Sequence, residues 1–116
     1  MERTEAAALI HHMYAAFNRR AVDEVLSCMH PDVHWPNGWE GGYVDGHEAV
    51  RDYWLRQWAV VDPEVIPGQL EWLNDDQVRV LVRQTVKDRE GNLLSVGTVN
   101  HVYTFDRHLI RTMAIE

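Results

Sequence analysis

The sequence predicts an α+β domain in which helices come first and an antiparallel sheet follows. Three observations carry this expectation. Up to about residue 60, apolar residues recur every three or four positions, the period of a helix. Past Pro63 the period becomes two, the period of a strand. Turn-forming clusters then divide the second half into strand-length pieces, and helices followed by strands make α+β rather than a wound parallel sheet.

The first helix is expected from about Thr4 to Arg19, with Ala6, Ile10, Met13, Tyr14 and Phe17 as its apolar stripe. A short helix follows at Val22 to Met29, and Pro31 stops it. Val33-His34-Trp35 reads as a short strand broken by Pro36-Asn37-Gly38. A third helix begins near Asp45, whose spacing to Glu48 is that of a capping box. Val50, Trp54, Leu55 and Trp58 are its apolar side. Four strands complete the chain as a meander: Glu64 to Leu73, Gln77 to Lys87, Leu93 to Phe105, and His108 to Ile115. In the second of these, Val78, Val80 and Val82 share one face while Arg79, Leu81 and Arg83 share the other.

Composition narrows the function classes. A length of 116 residues fits one domain, spanning 1–116. A formal net charge of −7 argues against nucleic acid and anionic membranes as partners, because both need basic surface. No apolar run approaches the roughly 20 residues that span a bilayer. The charged start Met1-Glu2-Arg3-Thr4-Glu5 lacks the plan of a signal peptide, so a cytoplasmic location is expected. The single cysteine, Cys28, excludes an internal disulfide and reads as a small buried hydrophobe. The seven histidines show no metal-ligand spacing, and neither a metal nor a cofactor is expected.

Five tryptophans are many for this length. Trp54 and Trp72 read as core. Trp35, Trp39 and Trp58 are candidates for the wall of an aromatic pocket. His34 and His101 are the candidate proton carriers, since an imidazole titrates near neutrality. Alternation sets His34 opposite Val33 and Trp35, so a pocket-facing Trp35 turns His34 away. On the long strand two parities compete. Either Asn100 faces inward, or Val99, His101, Tyr103 and Phe105 do, and a bulge switches between them.

Four segments occur in a suggestive order. They are Tyr14-Ala15-Ala16-Phe17-Asn18 ahead of a short helix, His30-Pro31-Asp32-Val33-His34-Trp35, Gly46-His47-Glu48-Ala49-Val50-Arg51-Asp52-Tyr53-Trp54, and Asn100-His101-Val102-Tyr103-Thr104-Phe105. Together they resemble the NTF2-like superfamily, in particular its SnoaL-like and ketosteroid-isomerase-like branches, over nearly the whole chain. The resemblance implies a cone: a curved antiparallel sheet wrapped around three N-terminal helices, with a pocket between them. It also implies a homodimer, expected here through the sheet's outer face, with Leu81 and Val99 or its neighbours mixed with Arg79 and Arg83.

The resemblance places the isomerase branch's base at or next to Asn37, its second acid on Asn100 and its helix-borne tyrosine donor on Met13, beside Tyr14. An amide cannot abstract a proton and a thioether cannot donate one, so the isomerase mechanism is not expected. The Arg-x-Asp pair of the epoxide-hydrolase branch finds only Arg83-Gln84-Thr85. Fold alone names no reaction. The expectation is a protein binding a small hydrophobic or aromatic compound through Met13, Tyr14, Trp35, Asn37, Trp39, Trp58 and Asn100. The rivals are an isomerase, hydrolase or cyclase using His34 or His101, and a dimeric interaction module without a ligand. An outward Asn100 would hand the pocket to His101 and Tyr103 and favour a histidine-based reaction.

Overall fold

The computed structural model describes residues 1–116. Three helices, α1 (Arg3–Asn18), α2 (Val22–Ser27) and α3 (Gly46–Val60), pack on one six-stranded sheet. Its strands are β1 (Met29–Pro36), β2 (Tyr43–Asp45), β3 (Val61–Trp72), β4 (Gln77–Asp88), β5 (Leu93–Asp106) and β6 (Leu109–Ile115). Their order across the sheet is β2-β1-β6-β5-β4-β3.

The expected four-strand meander is therefore the larger part of a wider sheet. β1 is a full strand that joins the meander's free edge by pairing parallel to β6, and every other pairing is antiparallel. β2, three residues long, was too short to show a period of two. β3 starts at Val61 rather than Glu64, and Pro63 lies inside it instead of beyond a helix end. Proline is tolerated there because β3 is an edge strand.

Irregular register curves the sheet. Pairing slips between Pro67 and Leu70 on β3, and between Thr104 and Phe105 on β5. Such bulges bend the bulged strand and increase its twist. Gly68 sits at the first slip, where a Cβ would come within 3.2 Å of the Leu81 carbonyl oxygen. Only glycine lets the two backbones approach so closely.

The concave face holds the core. Val78, Val80, Val82 and Tyr103 of the sheet are fully buried against Ala6, Ile10 and Ala16 of α1 and Val50 of α3. Burying a side chain such as Ile10 contributes about 1.5–3 kcal/mol. The chosen stripe of α1 is the one that faces the sheet, and Met13 and Tyr14 lie on it. No helix is long and apolar enough to cross a membrane.

Candidate functional site

Between the concave face and the helices lies a cavity of about 440 Å³. Each element contributes through its own periodicity. β4 and β5 present alternate residues: Val80 pairs with His101, Val82 with Val99 and Gln84 with Gly97. Val80 and Val82 are fully buried, so their partners His101 and Val99 also face inward. Pairing between these strands is regular from Gln77 to Val86, and no bulge switches the parity there. α1 contributes Met13, Tyr14 and Phe17, and α3 contributes Tyr53, Trp54 and Gln57. Trp35, Met113 and Ile115 close the side formed by β1 and β6.

The lining is mainly hydrophobic, 15 of 21 residues, and it contains no Asp, Glu, Lys or Arg. Its polar centre is a buried chain of three rings. The Tyr14 hydroxyl lies 2.8 Å from His101 Nδ1 and 2.5 Å from the Tyr103 hydroxyl. Burial pushes the pKa of Tyr14 well up, partly offset by its bond with Tyr103. Burial raises Tyr103 too, and the proximity of Tyr14 adds to this. Burial lowers His101 to about 4, because a charged imidazolium loses its hydration there. At neutral pH all three groups are therefore uncharged.

Aromatic packing fixes the walls. Trp35 meets Trp54 edge-on, with centroids 5.6 Å apart, and lies 6.1 Å from Tyr103. Phe17 meets Trp54 edge-on at 5.4 Å. Such pairs contribute roughly 0.5–1.5 kcal/mol beyond area burial.

Of the residues singled out in the sequence, Met13, Tyr14, Trp35, Trp39 and His101 line the cavity. Four do not. Asn100 is the clearest correction. It pairs with Leu81 on the outer face of the sheet, and its carbonyl accepts from the Glu116 N–H. Its place falls to Val99 and His101, because the buried valines of β4 dictate which residues of β5 turn inward. Val99 is thereby removed from the outer face.

Asn37 is buried but serves the loop rather than the cavity. Its Oδ1 accepts from the Trp39 and Glu40 amides at 3.2 and 2.7 Å, and its Nδ2 donates to Glu40 Oε1 at 2.9 Å. This pins the turn that brings Trp39 to the cavity. Trp58 packs behind the wall, stacked on Trp54 at 5.9 Å and capped by the Arg20 guanidinium at 5.1 Å. Its Nε1 is buried without a partner. His34 lies on the opposite face of β1 from Trp35. It binds Asp45 Oδ1 at 2.5 Å and stacks on Tyr43 at 4.1 Å.

That pairing also explains why Asp45 makes no side-chain cap on α3. Asp45 ends β2 directly opposite His34, and the cross-strand partner takes its carboxylate. Sequence reasoning missed Tyr53, Gln57, Gln84, Met113 and Ile115, and assigned Trp54 to the core alone. The inner parity of β4 carried the signal for Gln84, which falls two residues beyond Val82.

No group of three or more His, Cys, Asp or Glu side chains is placed to hold a metal. No curated protein matches the chain closely enough to count as a relative. Solved structures do match it. An NTF2-like protein of unknown function from Burkholderia pseudomallei aligns over 100% of this chain and 91% of its own, at 21% identity and a TM-score of 0.85. TerC co-crystallised with polyporic acid aligns over 97% and 90%, at 24% identity and a TM-score of 0.85. A Mycobacterium tuberculosis protein in complex with estradiol-17beta-hemisuccinate aligns over 94% and 90%, at 17% identity and a TM-score of 0.80. These likenesses establish the cone fold. A family model described as the SnoaL-like domain matches residues 10–113, and the chain therefore belongs to the SnoaL-like family of the NTF2-like superfamily.

Proposed function

We propose that this protein binds a small, uncharged, hydrophobic or aromatic compound inside the cone. The cavity lining carries the proposal: it is aromatic and aliphatic, with no ionic side chain. Binding pockets of this kind are apolar with a few placed polar groups, which here are the Tyr14–His101–Tyr103 chain, Gln57 and Gln84. Gln84 sits opposite Gly97, four residues from His101 along β5, or about 13 Å at roughly 3.3 Å per residue. That span suits a fused-ring ligand. The structural neighbours solved with polyporic acid and with estradiol-17beta-hemisuccinate support the hydrophobic and aromatic part of this reading, while both of those ligands also carry an acidic group.

The test is titration with acetylnaphthalene, read by quenching of the tryptophans that line the cavity. Saturable one-to-one quenching is expected, and Val99→Phe, which pushes a phenyl ring into the cavity beside His101, should weaken it. Quenching that never saturates, or that is unchanged in this variant, would overturn the proposal.

A second reading is an isomerase, hydrolase or cyclase in which His101 moves a proton. The inward placement of His101 and the outward turn of Asn100 favour it. Against it, burial lowers the pKa of His101 to about 4, which makes the imidazole a weak base, and no carboxylate lies in the lining to stabilise its protonated form. Binding is therefore preferred.

We also infer a homodimer through the sheet's outer face. Ile66, Leu81 and Val96 are about half exposed there, beside Asn100. Sedimentation velocity should show a dimer that Leu81→Lys dissociates, and a wild-type monomer at high micromolar concentration would refute it.

A further inference from the structure

The hydrogen-bond chain in the cavity has a direction, and burial sets it. The Tyr103 side chain is fully buried. Its hydroxyl has one partner, the Tyr14 oxygen. Either oxygen of that pair can donate. If Tyr14 donated to Tyr103, the Tyr103 proton would have no acceptor, and a buried donor left unpaired is costly. Tyr103 therefore donates to Tyr14. The Tyr14 proton must then go to its other partner, His101 Nδ1. An Nδ1 that accepts is unprotonated, so a neutral His101 carries its proton on Nε2.

The Nε2 edge is the free one. It makes no hydrogen bond within the protein, and Trp58 Nε1 is the only enclosed side-chain nitrogen or oxygen that lacks a partner. His101 Nε2 thus keeps accessible surface, and the ring lines the cavity. The Tyr14 hydroxyl, although beside the cavity, has spent its proton on His101.

We propose that the cavity recognises a carbonyl oxygen on its hydrophobic ligand, bound by the N–H of His101, and that the Tyr103–Tyr14 relay selects ketones over the corresponding alcohols by holding His101 in the Nε2–H form. This rests on the binding function proposed above. A ketone oxygen only accepts, which matches a lone N–H donor. An alcohol at the same point accepts from His101 but leaves its own proton in a lining that is mainly hydrophobic. The discrimination comes from a missing acceptor rather than from shape, and it resembles the general advantage of pockets whose polar groups are fully matched.

The relay makes the two tyrosines inequivalent. In Tyr14→Phe, Nδ1 loses its donor and the imidazole is free to place its proton on either nitrogen. It can then accept from an alcohol through Nε2. In Tyr103→Phe, Tyr14 still donates to His101, because the reverse arrangement would orphan the Tyr14 proton. His101 then keeps its donor form.

Two measurements decide the matter. The first needs no ligand: long-range proton–nitrogen correlation spectra of histidine-labelled protein at neutral pH. His101 is expected as the Nε2–H tautomer in the wild type and in Tyr103→Phe, and as a mixture in Tyr14→Phe. An Nδ1–H tautomer in the wild type overturns the proposal. The second compares acetylnaphthalene with the secondary alcohol made by reducing its ketone. The wild type should prefer the ketone roughly tenfold, and Tyr14→Phe should bring the ratio close to one. A wild-type ratio of one with both probes bound overturns the carbonyl selectivity while leaving the pocket as a binding site. Binding of neither probe, with the Nε2–H tautomer in place, instead counts against the binding function itself and the selectivity built on it.

Discussion

Asn18 and Val65 hold each other by a two-point bond: Asn18 Nδ2 donates to the Val65 carbonyl at 2.7 Å, and the Val65 N–H donates to Asn18 Oδ1 at 3.0 Å. The last residue of α1 thus behaves as a single rung of an extra strand. β3 is the outer strand of the sheet, and the backbone groups on its open side have no neighbouring strand. An unprotected edge is a liability, and here a side-chain amide covers it at Val65. The same bond fixes the end of α1, and with it Tyr14 and Phe17, against the sheet.

Asn18→Ala removes both bonds and leaves two half-buried backbone groups unpaired. The expected cost is about 2 kcal/mol in chemical denaturation. Asn18→Asp keeps the acceptor and loses the donor, so it should recover part of that loss. A change below about 0.5 kcal/mol for Asn18→Ala would show that the amide does not anchor the helix.

His101 makes stability depend on pH in a defined window. Its pKa is about 4 in the folded protein, against an ordinary value of 6.5. Above 6.5 both states are neutral at this residue and it contributes no slope. Between 6.5 and 4 the unfolded chain takes up a proton that the folded chain does not, so acid favours unfolding. The accumulated loss is about 3 kcal/mol by pH 4. Thermal melts from pH 7 to pH 4 should fall less steeply for His101→Gln than for the wild type. Parallel curves would contradict the burial assigned to this ring.

His34 and Asp45 form an exposed pair on the other face of β1. Exposed ion pairs contribute roughly 0–1 kcal/mol. His34→Ala and Asp45→Asn should therefore alter stability by less than about 1 kcal/mol and leave acetylnaphthalene binding within twofold of wild type. A large loss of binding in either variant would mean that this face communicates with the cavity.

Much of the fold was legible because it is periodic. The apolar stripe of α1, the alternation of Val78, Val80 and Val82, and the polar turns of the β4–β5 and β5–β6 hairpins each follow from local spacing. The motifs from Tyr14 to Phe105 added the cone and the family. What local spacing leaves open is which strand of a neighbour decides a parity. Residues 99–105 offer two equally good inner faces when taken alone, and only pairing of Val99 and His101 with the buried valines of β4 turned Asn100 outward. Likewise, nothing in the sequence places His34 opposite Asp45, because β2 is too short to announce itself and its pairing is long-range. The three rings at the cavity's centre come from residues 14, 101 and 103. Their types were visible in the sequence, but the direction of the proton relay is a property of burial, and burial exists only once α1 lies across the sheet.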